Sequence, residues 1–441
     1  MTEQMKPSGL VWMGDIPQSW DIKRIKYLAS LKGRIGWQGL TSDEYIDEGP
    51  YLITGVDFKD GGIDWESCVH ISEKRWAEAP DIHIKNGDLL ITKDGTVGKV
   101  AIVSGLNDKA SLNSGVLLVR TQENFDKRFL FWVLQSEEFW TWFSLKNAGN
   151  STIIHLYQGD FAEFSYTFPK LNEQQKIAAF LDAQCTKIDG IIADIEKQIE
   201  TLQKYKKSLI TETVTKGLDK SVPMKDSGIE CIGNIPIYWS VKRVKYVIDS
   251  IKDGTHGTFD RVDTGEYLLS AKNVFDDGIR IGQNESEISV TDYKSIVANG
   301  YPQKSDVLLC CVGTVGRCCV YEFDKPYAFQ RSVSFLRPLS STDSFFLQFA
   351  LQSNYTLIQE QLLINKSAQD GLYMGSVREL IIAIPNSIEE QKSISEFLKT
   401  KVAHIDELIV NKEQQLETIK QHKKSLIYEY VTGKKRVTEV N

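Results

Sequence analysis

A chain of 441 residues exceeds one ordinary domain and leaves room for about two to four. Apolar residues at 41% and charged residues at 25% describe a globular chain, and no run approaches the roughly 18 uninterrupted apolar residues of a membrane-spanning helix. The net charge of −7, from 52 Lys and Arg against 59 Asp and Glu, excludes a chain that grips nucleic acid by bulk charge but not one with a local basic surface.

Met1 to Pro7 has no apolar h-region, so no secretory signal is expected. Seven cysteines without framework spacing point to reduced thiols and a cytoplasmic protein. The chain then reads Gly14-Asp15-Ile16-Pro17-x-x-Trp20-x-Ile22-Lys23-Arg24-Ile25-Lys26-Tyr27, which recurs as Gly233-Asn234-Ile235-Pro236-x-x-Trp239-x-Val241-Lys242-Arg243-Val244-Lys245-Tyr246. Tyr51-Leu52-Ile53-Thr54 returns as Tyr267-Leu268-Leu269-Ser270, and Gly95-Thr96-Val97-Gly98-Lys99 as Gly313-Thr314-Val315-Gly316-Arg317. Glu173-Gln174-x-x-Ile177-x-x-Phe180-Leu181 returns as Glu390-Gln391-x-x-Ile394-x-x-Phe397-Leu398, and Lys206-Lys207-Ser208-Leu209-Ile210 as Lys423-Lys424-Ser425-Leu426-Ile427. The offsets stay between 216 and 219, so one unit is written twice.

Each half changes composition once. Its first part is rich in Gly, aromatics and alternating apolar positions, with turn signals such as Asp60-Gly61-Gly62, and predicts a mixed α/β globule of short strands. The aromatic stretch Glu137 to Leu145, at helical spacing, reads as core. After Pro169 the pattern is purely helical. Leu181, Cys185, Ile188, Ile192, Ile195, Ile199, Leu202, Lys206 and Leu209 alternate steps of four and three, and Leu398, Val402, Ile405, Ile409, Lys412, Leu416, Ile419, Lys423 and Leu426 repeat the register. Lys206 and Lys423 stand on this seam, where a cation either frays out or meets a partner. The expected fold class is α+β: two mixed globules and two long helices paired as an antiparallel coiled coil, a dumbbell with a pseudo-twofold. The boundaries fall at 1–168 and 218–386 for the globules, 169–217 and 387–433 for the helices, and 434–441 for a tail.

The halves differ where exposed polar residues cluster. Lys32, Arg34, Trp37 and Gln38 lie in a Gly-rich stretch of the first, and Lys252, Thr255, His256 and Thr258 in its counterpart. Glycines admit a backbone close to phosphate, cations meet phosphate or guanine, and aromatics and Thr methyls meet bases, although an ordinary solvated loop reads equally well at any one position. Asn147, Asn150 and Thr152 pair likewise with Lys366, Gln369 and Tyr373, each group preceding the last strand of its globule. Lys59, Lys99, Lys272, Arg317 and Arg331 complete the candidates, with Lys99 and Arg317 expected as single cations projecting from a tight hairpin. That hairpin is no phosphate loop, because Lys93 and Val100 stand where Gly and Ser/Thr are required. Cys310-Cys311 and Cys318-Cys319 read as small core residues, since adjacent strand residues face opposite ways and suit no tetrahedral zinc site.

The chain shows no Gly-x-Ser-x-Gly elbow, no metal-spaced histidine pair among its six and, with every proline isolated, no Asp/Asn/Ser-Pro-Pro-Tyr/Phe methyltransferase motif. It reads as a binder without its own active site. The ordered duplication of Gly-Asp/Asn-Ile-Pro-x-x-Trp, Glu-Gln-x-x-Ile-x-x-Phe-Leu and Lys-Lys-Ser-Leu-Ile-x-Glu-x-Val-Thr resembles the specificity subunits of type I restriction-modification systems over nearly the whole chain. The resemblance implies a non-catalytic subunit whose two globules each read half of a bipartite sequence in double-stranded DNA, with the helix pair setting the gap. It also implies two methyltransferase subunits, which carry S-adenosylmethionine and methylate adenine, and two motor-nuclease subunits dependent on ATP and magnesium. No cofactor is expected on this chain and no membrane partner. Unlike recognition loops imply an asymmetric target. The alternatives are a coiled-coil adaptor whose globules bind proteins and a stand-alone DNA-modifying enzyme with a divergent site.

Overall fold

The computed structural model describes residues 4–35, 39–148, 154–364 and 371–437. The chain divides into two compact units, Met1–Ile195 with Gln415–Asn441 and Glu196–Gln414, so the division falls inside the long helices rather than at their ends.

In the first unit an antiparallel sheet runs in the order Val100–Ile102, Leu89–Thr92, Val116–Thr121, Ala29–Gly33. Leu89, Ile91, Leu117 and Val119 face one core, and Leu90, Val116 and Leu118 face another. A sheet buried on both sides needs apolar residues at every position, which explains the unbroken runs Leu89-Leu90-Ile91 and Val116 to Val119. Beside it, Ala110–Leu112 pairs parallel with Ile46–Ile53, which pairs antiparallel with Val69–His70. The helices Lys127–Leu134 and Glu137–Asn147 close the first core, where Phe139, Trp142 and Phe143 are buried while Trp140 is partly exposed.

The second unit repeats the plan. Its four-stranded sheet orders Ile248–Asp253, Val333–Pro338, Val307–Cys310 and Cys318–Val320, and Glu266–Leu269 pairs parallel with Ala328–Phe329. Cys310 and Cys319 face one core and Cys311 and Cys318 the other, as strand alternation requires. Burial pushes the Cys310 and Cys311 thiols up to about 11 and about 12, so both stay protonated and unreactive. No metal-competent cluster occurs among the described residues.

The duplicated motifs are joints. The tryptophan of each opening motif is buried: Trp20 is fully enclosed and Trp239 is 1% exposed. The hairpins ahead of them match down to their turns, Met5–Pro7 with Asp15–Pro17 and Met224–Asp226 with Asn234–Pro236. Gly433 ends a helix at φ +74, and a Cβ there would stand 2.5 Å from Pro17 Cγ. Gly217, at φ +69, lies in the same way against Trp239 and Pro236. Each globule therefore seats the closing end of the helix that belongs to the other half of the sequence.

The helices span Leu171–Lys216 and Ile388–Val431. Gln174 fixes the first at its start, with Oε1 accepting from the Asp126 backbone N–H at 2.8 Å and Nε2 donating to Pro169 O at 2.9 Å. Gln391 does the same for the second, with Asp343 N–H at 2.8 Å and Pro385 O at 3.0 Å. Leu181, Cys185, Ile188 and Ile195 are buried, while Ala183, Thr186, Lys187, Asp189, Ile191, Ala193 and Asp194 face solvent. Ile192, Ile199, Leu202, Leu209, Val402, Ile409, Leu416, Ile419 and Leu426 are half-buried, and Leu398 and Ile405 buried.

Of the seam lysines, Lys206 and Lys423 each find an acid on the opposing helix. Lys423 Nζ lies 2.6 Å from Asp189 Oδ1 within the first unit, and Lys206 Nζ 2.7 Å from Asp406 Oδ2 within the second. In the first unit Phe180 stacks on Tyr430 at 4.4 Å and Glu173 pairs with Arg436 at 2.6 Å, so the segments run antiparallel. A charged pair on an apolar seam adds little net stability but penalises every shifted register, in which a lysine would be buried alone.

Candidate nucleic-acid interface

Sheet register decides which loops share an end. In the first unit Gly33 lies opposite Leu117 and Thr92 opposite Val116, so the chain after Gly33, the turn after Thr92 and the turn before Val116 leave the sheet together. Cross-links bind this end: Lys93 N–H donates to Gly115 O at 2.8 Å, Leu156 N–H to Lys93 O at 2.9 Å, and Thr96 Oγ1 to Gly55 O at 3.2 Å. In the second unit Asp253 lies opposite Ser334 and Cys310 opposite Val333, which gathers the equivalent loops. There Arg331 N–H donates to Thr255 O at 3.0 Å and Leu372 N–H to Cys311 O at 2.7 Å.

This end brings together Thr255, His256, Arg331 and Tyr373, the last with 58% of its surface exposed. His256 stands 3.9 Å from Asp253, and Thr258 is exposed beyond it. Lys252 is exposed on the adjoining strand, and Lys272 is exposed but held by Glu285 at 2.8 Å. In the first unit Lys32 is exposed 3.8 Å from Asp81, Lys59 pairs with Asp64 at 3.1 Å, and Lys99 is exposed beside its turn. Asn147 spends its amide donor on its own helix, to Phe143 O at 2.9 Å. Trp37, Gln38, Asn150, Thr152, Lys366 and Gln369 lie outside the described residues.

Two expectations change. Arg34, placed by sequence among the outward-facing cations, turns inward and is 4% exposed. Its Nε donates to Leu112 O at 2.7 Å and its Nη2 to Ser111 Oγ at 3.0 Å. Leu112 ends a short parallel strand, and the guanidinium meets that carbonyl where the ladder stops. Desolvation lowers the Arg34 pKa, and its hydrogen bonds anchor the base of the loop. Arg317 is no free projecting cation either. It is half-buried, with its guanidinium 4.9 Å from the Phe275 ring and Nη1 donating to Val274 O at 3.3 Å.

Sequence reasoning passed over other members of these ends. His155 pairs with Asp94 at 2.5 Å, next to Tyr157, which is 59% exposed. Glu360 is 2% exposed behind the Gly313 to Arg317 hairpin, and its Oε1 has no partner among the described residues. A Cβ on Gly316 would stand 2.4 Å from Glu360 Oε2, whereas in the first unit Trp140 fills the corresponding place behind Gly98 at 2.5 Å.

Burial raises Glu360 from 4.5 to about 8, with the Cys311 and Cys318 thiols as its titratable neighbours. The unfolded chain ionises this carboxyl near its ordinary pKa, while the folded unit keeps it protonated. Its contribution is therefore fully present below about pH 4.5 and is lost as pH rises through about 8. Glu360→Gln is expected to be near neutral at pH 4.5 and to stabilise the unit by roughly 4–5 kcal/mol at pH 8.5. Urea titrations of both proteins at the two pH values check this, and parallel pH profiles refute it.

No helix among the described residues is long and apolar enough to cross a membrane. The family model for the type I restriction modification DNA specificity domain matches twice, over residues 17–201 and 236–418. The type I restriction enzyme MjaVIII specificity subunit of Methanocaldococcus jannaschii is 28% identical over 97% of this chain and 95% of its own. The EcoBI specificity subunit of Escherichia coli is 24% identical over 73% of this chain and 68% of its own. A solved structure concerning complex assembly and conformational transition of the type I R-M system shares the fold, with a TM-score of 0.69 at 16% identity, covering 95% of this chain and 99% of that one. With both halves matched and the duplicated plan present in both units, the chain belongs to the type I restriction-modification DNA specificity family: it is a non-catalytic specificity subunit that recognises a DNA target within a restriction-modification complex.

Proposed function

We propose that each unit reads one half of an asymmetric bipartite sequence in double-stranded DNA, using the loops gathered at one end of its four-stranded sheet. The observation that carries this is a shared scaffold with unlike loop ends: Lys32 with a buried Arg34 in the first unit, and Lys252, Thr255, His256 and Arg331 in the second. Loops that differ on equivalent sheets present different donors and acceptors to a major groove, and two unlike readers select two unlike half-sites. The helices Leu171–Lys216 and Ile388–Val431 then fix the gap between half-sites and dock two methyltransferase subunits. Those subunits bring S-adenosylmethionine, and two motor-nuclease subunits bring ATP and magnesium chemistry, in the cytoplasm. Residues 1–168 and 218–386 are the recognition modules in this reading.

Co-expression with the cognate methyltransferase subunit in a methylation-free host, followed by genome-wide mapping of N6-methyladenine, tests the proposal. One bipartite motif with two different halves is expected, absent when either chain is omitted. Exchanging residues 218–386 for those of a relative should change one half-site and leave the other. A change in both halves refutes separate reading, and no methylation from an assembled complex favours the protein-binding adaptor.

A further inference from the structure

Duplication inside one chain supplies a comparison between its own halves. Buried residues retained at equivalent places are explained by packing, as with Ile25 and Val244, both fully buried. Exposed residues retained although their contacts within the chain contribute little to stability call for an external role. The opening motifs carry such a set in Lys23, Arg24, Lys26 and Tyr27, with its copy in Lys242, Arg243, Lys245 and Tyr246. Tyr27 is 60% exposed and Tyr246 is 62% exposed, far above what a large ring retained for packing would show.

The geometry is copied as closely as the sequence. Lys26 Nζ sits 5.2 Å from the Tyr27 ring centre, and Lys245 Nζ 5.3 Å from that of Tyr246. One carboxylate ties each set: Glu163 meets Arg24 at 2.8 Å and Lys26 at 2.5 Å, and Glu379 meets Arg243 at 3.0 Å and Lys245 at 2.7 Å. Lys23 and Lys242 are exposed and enter neither network. Three cations against one carboxylate leave each patch positive, on a chain whose net charge is −7. Exposed ion pairs contribute little to stability, so the fold alone does not account for keeping the arrangement twice.

We propose that these two patches are sequence-independent grips on the phosphate backbone of the bound duplex, one for each half-site. The proposal rests on the reading of DNA by both units and adds where affinity, as distinct from specificity, comes from. A contact retained in both halves must meet something identical in both, and phosphate is the part of DNA that does not change with sequence. Lys23 and Lys242, in no ion pair among the described residues, supply ammonium groups. The tethered Arg24 and Arg243 are held oriented by their carboxylate, and the tyrosine hydroxyls offer a phosphate oxygen a neutral donor.

The test uses the complete chain in complex with its methyltransferase subunits. Lys23→Gln and Lys242→Gln together, and separately Tyr27→Phe with Tyr246→Phe, are measured against target and unrelated duplexes between 50 and 200 mM salt. The double lysine variant should lower the slope of log K against log salt by about 2, weaken both duplexes alike and leave the methylated motif unchanged. The tyrosine pair should weaken both duplexes without changing the slope. An unchanged salt slope in the lysine variant overturns the proposal. If that variant instead fails to assemble, the patches are docking faces for the partner protein and the proposal also falls. A wild-type complex that binds every duplex equally, with the slope still reduced by the lysine variant, would sink the half-site reading and leave the phosphate grips standing.

Discussion

Replacing Arg337 with alanine is expected to destabilise the second unit by roughly 3–5 kcal/mol, as breaking a buried ion pair from one side does. The Arg337 guanidinium grips Asp306 through two bonds, Nε to Oδ1 and Nη2 to Oδ2, both at 2.9 Å, and Nη2 also donates to Gly300 O at 2.9 Å. Asp306 is 1% exposed, so the truncation strands its carboxylate with the Gln303 N–H, at 2.7 Å, as its remaining donor. The first unit has the same joint, with Arg120 on Asp88 at 2.9 and 2.7 Å and on His83 O at 2.8 Å. Hydrogen exchange should therefore accelerate across Val307–Cys310 and Val333–Pro338 in Arg337→Ala and stay unchanged across Leu89–Thr92 and Val116–Thr121. Removing both charges, as Arg337→Met with Asp306→Leu, should recover most of the loss. A single truncation costing under about 1 kcal/mol would mean that water reaches Asp306 in the folded unit.

Gln391→Leu is the second large effect. Gln391 is 1% exposed, and its amide holds three backbone groups: Asp343 N–H at 2.8 Å, Pro385 O at 3.0 Å and Ser341 O at 3.2 Å. Leucine fills the space and pairs with none of them. The expected loss is about 2–4 kcal/mol, since leaving buried donors and acceptors unpaired costs more than a typical bond contributes. Asp343 also caps the helix Ser344–Gln352, through Oδ1 to Phe346 N–H at 2.9 Å, so that helix and the start of Ile388–Val431 should loosen together. Denaturant unfolding with hydrogen exchange reads both. Gln391→Glu, which keeps the acceptor and loses the donor, should fall between leucine and wild type.

These two residues show where the sequence was legible. Gln391 stands in a motif visible as a repeat of Gln174, and only its task needed coordinates: one amide bridges backbone groups 48 and 6 residues away. Arg337 and Asp306 went unread although Arg120 and Asp88 recur at offsets of 217 and 218. The partners sit 31 residues apart, Arg337 on one strand and Asp306 immediately before the neighbouring one, and pairing them requires the sheet order. The heptad steps gave the helices because their period is local. They did not say which acids would meet Lys206 and Lys423, since antiparallel partners lie 200 and 234 residues away. Arg34 was misplaced for a related reason. Its direction is set by a carbonyl 78 residues on, exposed by the end of a parallel ladder that no periodicity announces.

The seam pairs have an evolutionary corollary. One helix carries Asp189 and Lys206, and the other carries Asp406 and Lys423 in the same order at the same separation. A single ancestral copy of this helix would already have held both halves of both contacts, and so would have paired with itself, antiparallel, across a true dyad. Such a homodimer is confined to palindromes, because every change to its reader is written into both half-sites at once. Fusing two genes end to end keeps the joint and breaks that constraint, after which each reader is free to drift towards its own sequence.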